Sequence, residues 1–476
     1  MNTLSNFTLQ EVDLQQLFLS QKKNANTVAQ STAKERIAKL KTIQKWCNDN
    51  EQLIKDAMFA DFKKPADEVM IGEVMGVLGE IKHLISNLSD WTKPKKLSTP
   101  LNMIGSSSYI KYEPKGVCLI ISPWNYPFNL AIKPLAQAIA AGNTVILKPS
   151  ELTPNTSTLI NKMLSELFES NEIAVVEGDA KVATELLELP FNHIFFTGSP
   201  NVGKVVMTAA AKNLCSVTLE LGGKSPSIVD ETANIKKAAQ RIAWGKWLNN
   251  GQTCVAPDYV LVHENVKDAF VEQLKKSIKD MYSPTGQDIE SCPDYCRIVN
   301  ARHFNRVQML IADAVTNGAN VVVGGQSNAE TNYIAPTILT DVNDKMKVMQ
   351  EEIFGPVLPI IPFKNLDEVL TTINDREKPL ALYISSSNNK NIKTIIDNTS
   401  AGNTVINDTV LHYGNVEMPF GGVNNSGIGK SGGIFGFQEF SNARGIMHQK
   451  FGDFSMIYPP YTKTTSKLVS FFVKYL

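Results

Sequence analysis

An excess of charge of either sign is missing from this 476-residue chain, in which 47 lysines and arginines are matched by 47 aspartates and glutamates. A dedicated nucleic-acid binder carries a basic surplus, usually in Lys/Arg blocks interleaved with aromatics, and no such block occurs. Cysteine is scarce: Cys47, Cys118, Cys215, Cys254, Cys292 and Cys296 are irregularly spaced. That excludes a disulfide-stapled scaffold and suits a reducing compartment. No apolar run approaches the roughly 20 residues of a spanning helix. The best C-terminal candidate, LVSFFVKYL at 468–476, is broken by Ser470 and Lys474; it reads as a short docking helix or tail, with interfacial membrane contact as the alternative. Residues 1–13 have neither the basic start nor the apolar core of a signal peptide. The expectation is a soluble, cytoplasmic protein acting on small, weakly charged partners.

There is no internal repeat and no low-complexity tract, while 43% apolar residues supply material for two or three cores. Up to about Trp91 the spacing is helical, with Ile37, Leu40 and Ile43 on one stripe and Val74, Val77, Leu78, Ile81, Ile85 and Leu88 on another. Residues 93–108 carry Pro94, Pro100 and four serines and break that period. Thereafter short β-rich runs (GVCLIIS, TVILK, HIFFT, SVTLEL) alternate with helical stretches at 158–168 and 202–211. Strands apolar almost throughout and separated by helices predict a parallel sheet covered on both faces. A second such series follows Gly222 and Gly223, and a Gly-rich section begins near Thr409. The expected fold is α/β. It has a Rossmann-like unit from 1–92 and 113–221, a second α/β unit at 222–408, and a small β bridging element from 93–112 and 409–476.

Two attractive patterns fail on context. Gly427, Gly429 and Gly432 spell G-x-G-x-x-G, but too little chain follows for a nucleotide-binding half-domain. The GKS triplets at 223–225 and 429–431 lack the upstream glycine of a phosphate loop, since Thr218 and Asn424 stand there. Cys292 and Cys296 with His303 lack a fourth zinc ligand, so no metal is expected.

The informative residues cluster at predicted strand ends. In SPWNYPF, Pro123 and Pro127 hold the backbone around Asn125, whose amide could serve an oxyanion or merely a turn. In LKPSE, Lys148 ends a strand and Glu151 opens the next segment; a ribose grip and an ordinary helix start read nearly alike. In FTGSPNVGK, Gly198 and Ser199 lead into a helix containing Gly203, where bared N–H groups suit a pyrophosphate. In VTLELGG, Glu220 is either a solvent-facing carboxylate or a general base beside a glycine pair. Cys254 of NNGQTCVAP lies in a polar loop where a thiol of lowered pKa would be a strong nucleophile.

In order and spacing, PWNYPF, LKPSE, FTGSPNVGK, LELGGKSP, GQTCVAPDY, EEIFGPVLP and PFGGVNNSGIG resemble the aldehyde dehydrogenase superfamily, over about residues 115 to 440. RIAWGKW, ARHFNRV, YIAPTILTDV, REKPLALY and IYPPY resemble its class 3 subgroup. The resemblance implies NAD(P)-dependent oxidation of aldehydes, medium- or long-chain aliphatic or aromatic, to carboxylic acids. It implies that Cys254 attacks the aldehyde carbon, that Asn125 and the Cys254 backbone N–H hold the oxyanion, and that Glu220 activates the water that hydrolyses the thioester. Glu352 and Phe354 would meet the nicotinamide ribose and ring, Lys148 and Glu151 the adenosine ribose, and Gly198 and Ser199 the pyrophosphate region. Trp124, Gly203 and Leu221 complete the implied cofactor set. Glu151 should repel a 2′-phosphate while Lys148 softens that effect, so NAD is expected to be preferred and NADP accepted. A homodimer is implied. The other readings are an acylating enzyme that passes the thioester to coenzyme A and a non-catalytic protein retaining the fold. The chain departs from the family at Asn424 and Asn403, where glycine is usual, and at Ser431 and Gly432, which replace Tyr-His. Asn424 should tolerate a left-handed backbone.

Overall fold

The computed structural model describes residues 13–100, 103–452, 455 and 458–475. Its N-terminal part is helical, as the spacing predicts. Leu14–Ala29 is capped by Asp13, and Ala33–Asp49 opens on a reciprocal cap between Thr32 and Glu35. Glu51–Phe62 follows, then a helix that passes through a π-helical turn at Met70–Val74 into Met75–Trp91. The predicted stripes face inward: Leu40, Ile43, Val74, Val77, Ile81 and Leu88 are fully buried.

Leu14–Ala29 packs on one face of a six-stranded sheet, and the later helices lie over the opposite face. Five strands are parallel, in the spatial order Ser216–Leu221, His193–Gly198, Val117–Ile121, Thr144–Lys148, Ile173–Val175. Helices joining them, Asn129–Ala141 and Pro200–Ala211 among them, lie on the faces, and the buried strands are apolar at nearly every position. Arg36 ties the layers together: its guanidinium donates to the Ala140 and Ala141 carbonyls at the end of helix Asn129–Ala141, where Gly142 turns the chain at φ 93°. A side chain on Gly142 would meet that guanidinium, its Cβ lying 2.4 Å from Arg36 Cζ.

The second sheet has seven strands in the order Asn320–Val323, Thr337–Thr340, Val357–Phe363, Tyr259–His263, Pro226–Val229, Ala381–Ser385, Asn403–Ile406. All pair in parallel except the first. A third, exposed sheet is antiparallel: Lys95–Leu97, Ser106–Pro114 and Ser441–Gln449. The section after Thr409, grouped above with the bridging element, does more than bridge. Gly427–Ile428 forms the sixth strand of the first sheet, antiparallel to Ser216–Leu221, and helix Gly433–Glu439 packs on Asn129–Ala141. Asn424 has φ 57°, the left-handed geometry that the family's glycine would supply.

Candidate active site

Register places the sequence-selected residues of the first sheet along one edge. Ile121 pairs with Lys148 and Phe196, and Thr197 and Gly198 pair with Glu220 and Leu221. All four strands end on the same side, which is where open parallel sheets bind ligands. The segment carrying Trp124 and Asn125 leaves that edge directly after Val117–Ile121.

Cys254 reaches the same place from the second unit. After helix Ile235–Trp247, three consecutive residues take left-handed backbone, Asn249 (φ 51°), Asn250 (φ 56°) and Gly251 (φ 72°), which reverses the chain tightly. Hydrogen bonds then lock the returning loop. Asn125 Nδ2 donates to the Gln252 carbonyl at 3.0 Å, Asn249 Nδ2 donates to the Asn125 carbonyl at 2.8 Å, and the Tyr126 and Thr253 hydroxyls meet at 2.8 Å. Asn125 and Cys254, 129 positions apart in sequence, are thus held through two residues of one loop.

Glu220 and Cys254 line one cavity of about 310 Å³, whose wall is mainly apolar and includes Met75, Leu130, Trp244 and Phe420. Glu220 is not solvent-facing: it is 5% exposed, and neither carboxylate oxygen has a hydrogen-bond partner among the described residues. Burial raises its pKa to about 8, against the opposing pull of Lys430, Ser431 and Lys133. Ser431, one of the departures from the family pattern, lines the cavity as well.

The thiol differs from expectation. Burial and the facing charges of Glu352 and Glu220 hold the Cys254 pKa up at about 12, and the Cys254 and Val255 backbone N–H groups, which favour the thiolate, only partly offset this. At neutral pH the Cys254 sulfur is therefore a neutral thiol. A polar Gly-containing loop suggested an accessible, activated sulfur; the two acidic neighbours come from distant sequence and are invisible locally.

The residues assigned to a cofactor fall into three groups. Gly198 and Ser199 open helix Pro200–Ala211, with the Ser199 hydroxyl accepting from Val202 N. Gly203 packs so tightly on Leu221 that a Cβ there would lie 2.8 Å from Leu221 Cδ2. Lys148, almost wholly buried, pairs with the half-exposed Glu151 at 2.9 Å. Trp124 packs edge-on against Phe354 and beside His303, with ring centroids 5.3 and 4.8 Å apart. Phe354 has φ 46°, a strained value for an aromatic residue. A second cavity, about 930 Å³, brings Glu352 together with Pro200, Asn201, Gly222 and Gly223. A Cβ on Gly222 would fall 2.2 Å from Glu352 Oε2, so only glycine allows the approach. A bared helix N-terminus, a glycine-lined floor and a half-buried carboxylate fit a dinucleotide with its pyrophosphate at the helix and a ribose hydroxyl at Glu352.

Sequence reading missed the supports. Lys64 and Glu73 form a fully buried ion pair at 2.6 Å. Lys64 also donates to the Asn125 carbonyl at 3.3 Å and lies over the Tyr126 ring, while Glu73 accepts from Asn129 N at 2.9 Å. Glu68, raised to a pKa of about 7 by burial, accepts from Asn249 N at 3.0 Å. Charged residues among helical spacing read as a solvated face, and only tertiary packing reveals otherwise. Removing one partner strands a buried charge, so Lys64→Met should cost about 3–5 kcal/mol. That is measured as a fall in thermal midpoint, most of which should be recovered in Lys64→Met/Glu73→Leu.

Comparison with known proteins gives this geometry its context. The aldehyde dehydrogenase family model matches residues 7–446. The 4,4′-diaponeurosporen-aldehyde dehydrogenase of Staphylococcus aureus is 44% identical over 96% of this chain and 99% of its own. Aldehyde dehydrogenase family 3 member A2 of Pongo abelii is 44% identical over 92% and 89%, and the dimeric NADP-preferring aldehyde dehydrogenase of Mus musculus 45% over 87% and 89%. A solved structure, the substrate-bound state of Staphylococcus aureus AldH, superposes with a TM-score of 0.92 at 44% identity, covering 97% of this chain and 99% of that one. The chain therefore belongs to the aldehyde dehydrogenase family, is class 3-like within it, and oxidises aldehydes with NAD(P).

Proposed function

We propose that Cys254 is the nucleophile, Asn125 the oxyanion donor and Glu220 the general base of this oxidation. The observation that carries the reading is the shared cavity of Cys254 and Glu220, with Asn125 hydrogen-bonded to the loop that ends at Cys254. A neutral thiol must lose its proton as sulfur bonds to the aldehyde carbon, and from the half-buried Cys254 that proton passes to solvent, leaving Glu220 ionised for the second half. Asn125 has two N–H donors and spends one on the Gln252 carbonyl. The other, with the Cys254 backbone N–H, is free to stabilise the oxyanion of the thiohemiacetal. Bound NAD(P) supplies the hydride acceptor. Collapse of the oxyanion leaves a thioester on Cys254. Glu220 then takes a proton from water as the water oxygen bonds to the acyl carbon; the C–S bond breaks and the thiolate is reprotonated. A buried carboxylate on the cavity wall favours water over coenzyme A as acyl acceptor.

The residues assigned to NAD(P) divide the binding work: Gly198, Ser199 and Gly203 make the close helix–strand entry, Leu221 floors it, Lys148 and Glu151 meet the adenosine ribose, and Trp124, Glu352 and Phe354 border the nicotinamide end. Lys148 neutralises Glu151 through their ion pair, so NAD is preferred and NADP tolerated. The largely apolar wall favours medium- or long-chain aliphatic and aromatic aldehydes, and the relative from Staphylococcus aureus is named for a polyene aldehyde. Residues 1–92 and 113–221 form the cofactor unit, 222–408 the catalytic unit, and 93–112 with 409–476 the bridging element. That element leaves the nine-residue strand Ser441–Gln449 on a sheet edge, where a second copy would complete it as a dimer. No helix of the described residues is long and apolar enough to cross a membrane. We assign the enzyme to the cytoplasm.

A chain-length series of aldehydes assayed with each cofactor tests this reading. Specificity should rise from acetaldehyde to hexanal and beyond, by about tenfold or more for several added methylenes, with NAD giving the larger kcat/KM. A flat or falling series would overturn the substrate assignment, and a larger value with NADP the cofactor assignment.

A further inference from the structure

Among the polar groups facing the reaction cavity is a cation that the mechanism above does not use. Lys133 lies on helix Asn129–Ala141, is 4% exposed, and lines the cavity with Cys254 and Glu220. Its ammonium sits 4.1 Å from the centre of the Tyr413 ring and 3.9 Å from Glu80 Oε2, and it donates no hydrogen bond among the described residues. Glu80 is itself committed elsewhere: its Oε1 accepts from Gln137 Nε2 and from Gly433 N, both at 2.9 Å, while Oε2 is unpartnered.

We propose that Lys133 is a positioning residue for the deacylation base: facing the same cavity as the unpartnered Glu220 carboxylate, its ammonium supplies the positive charge against which Glu220 ionises. The inference rests on the reading of Glu220 as general base. Two buried, incompletely solvated groups of opposite sign on one apolar wall attract strongly because little water screens them. The other ionisable groups near Glu220 are Lys430, Glu439 and the Cys254 thiol; those near Lys133 are Glu80 and Glu220. Lys430 is already engaged, donating to the Gly421 and Gly422 carbonyls, and Glu439 opposes ionisation. Lys133 is the lysine that lines this cavity, and its ion pair with Glu80 is long, at 3.9 Å. Burial lowers its own pKa, and Glu80 and Glu220 oppose that, keeping it a donor of charge.

The experiment compares the wild-type enzyme with Lys133→Met, Lys133→Arg and Glu220→Gln in rapid-quench assays with hexanal and NAD across pH. With Lys133→Met the burst of reduced cofactor should persist. Steady-state hydrolysis at pH 7 should fall about tenfold, with its rising limb moved to higher pH, because losing the cation disfavours the carboxylate. Lys133→Arg should restore the limb. Because Lys133→Met leaves Glu80 without its cation, the double variant Lys133→Met/Glu80→Gln repeats the measurement with no stranded charge, and the same upward movement is expected. An unmoved limb in both overturns the inference, as does a change confined to KM, which would make Lys133 a substrate contact. If Glu220→Gln leaves the limb in place, the base assignment fails; if it abolishes the limb while Lys133→Met does not move it, only the role of Lys133 fails.

Discussion

Cys254→Ala is expected to lower aldehyde-dependent formation of reduced cofactor by about 10⁴-fold or more, because no other thiol lines the cavity among the described residues. The half-buried thiol makes no hydrogen bond to another residue's side chain, so the variant should keep its thermal midpoint and still bind NAD, measured by quenching of tryptophan fluorescence. The thiol's high pKa adds a second mark. At neutral pH the resting enzyme should react slowly with iodoacetamide, with reactivity climbing into the alkaline range as the thiolate forms. A Cys254→Ala enzyme that still oxidises hexanal would remove the nucleophile from this account.

Glu220→Gln should separate the two halves of the reaction. Acylation is retained, so one equivalent of reduced cofactor per site appears as a burst, while turnover falls about 10²–10³-fold for want of a base to activate water. The acyl-enzyme then accumulates and is detectable as a mass increase on the peptide containing Cys254. The wild-type pH profile follows from the same carboxyl. Burial raises its pKa to about 8, and only the ionised form accepts a proton, so hydrolysis should rise with pH through that value. In Glu220→Gln the limb should vanish. A variant with neither burst nor turnover would instead place Glu220 in the acylation half.

Much of this arrangement was legible in the sequence because the residues concerned break local rules. Apolar runs such as GVCLII ended in proline, asparagine or glycine, and such ends become ligand edges in a parallel sheet. Asn424 could be foreseen in left-handed backbone because few residues other than glycine adopt it. The supports could not be read this way. Lys64, Glu73, Glu68, Glu80 and Lys133 lie among helical spacing, where a charged residue ordinarily marks the solvated face. Their burial depends on what packs against them from tens to hundreds of residues away. The same holds for the thiol: its loop advertised exposure, and its pKa is set first by burial and then by Glu352 and Glu220 converging from other segments. Helical and strand periods predicted the two α/β units, but Gly427–Ile428 is too short to show any period.

That two-residue strand has a consequence for biosynthesis. Gly427 pairs with Glu220 itself, so this carboxylate acquires its lateral neighbour only when nearly nine-tenths of the polypeptide has been made. While the ribosome is still extending the chain, the five parallel strands can collapse with their outer margin unsatisfied. Competence therefore arrives late, since a chain stopped upstream of Gly427 lacks both that strand and helix Gly433–Glu439, whose Phe437 is buried in the core.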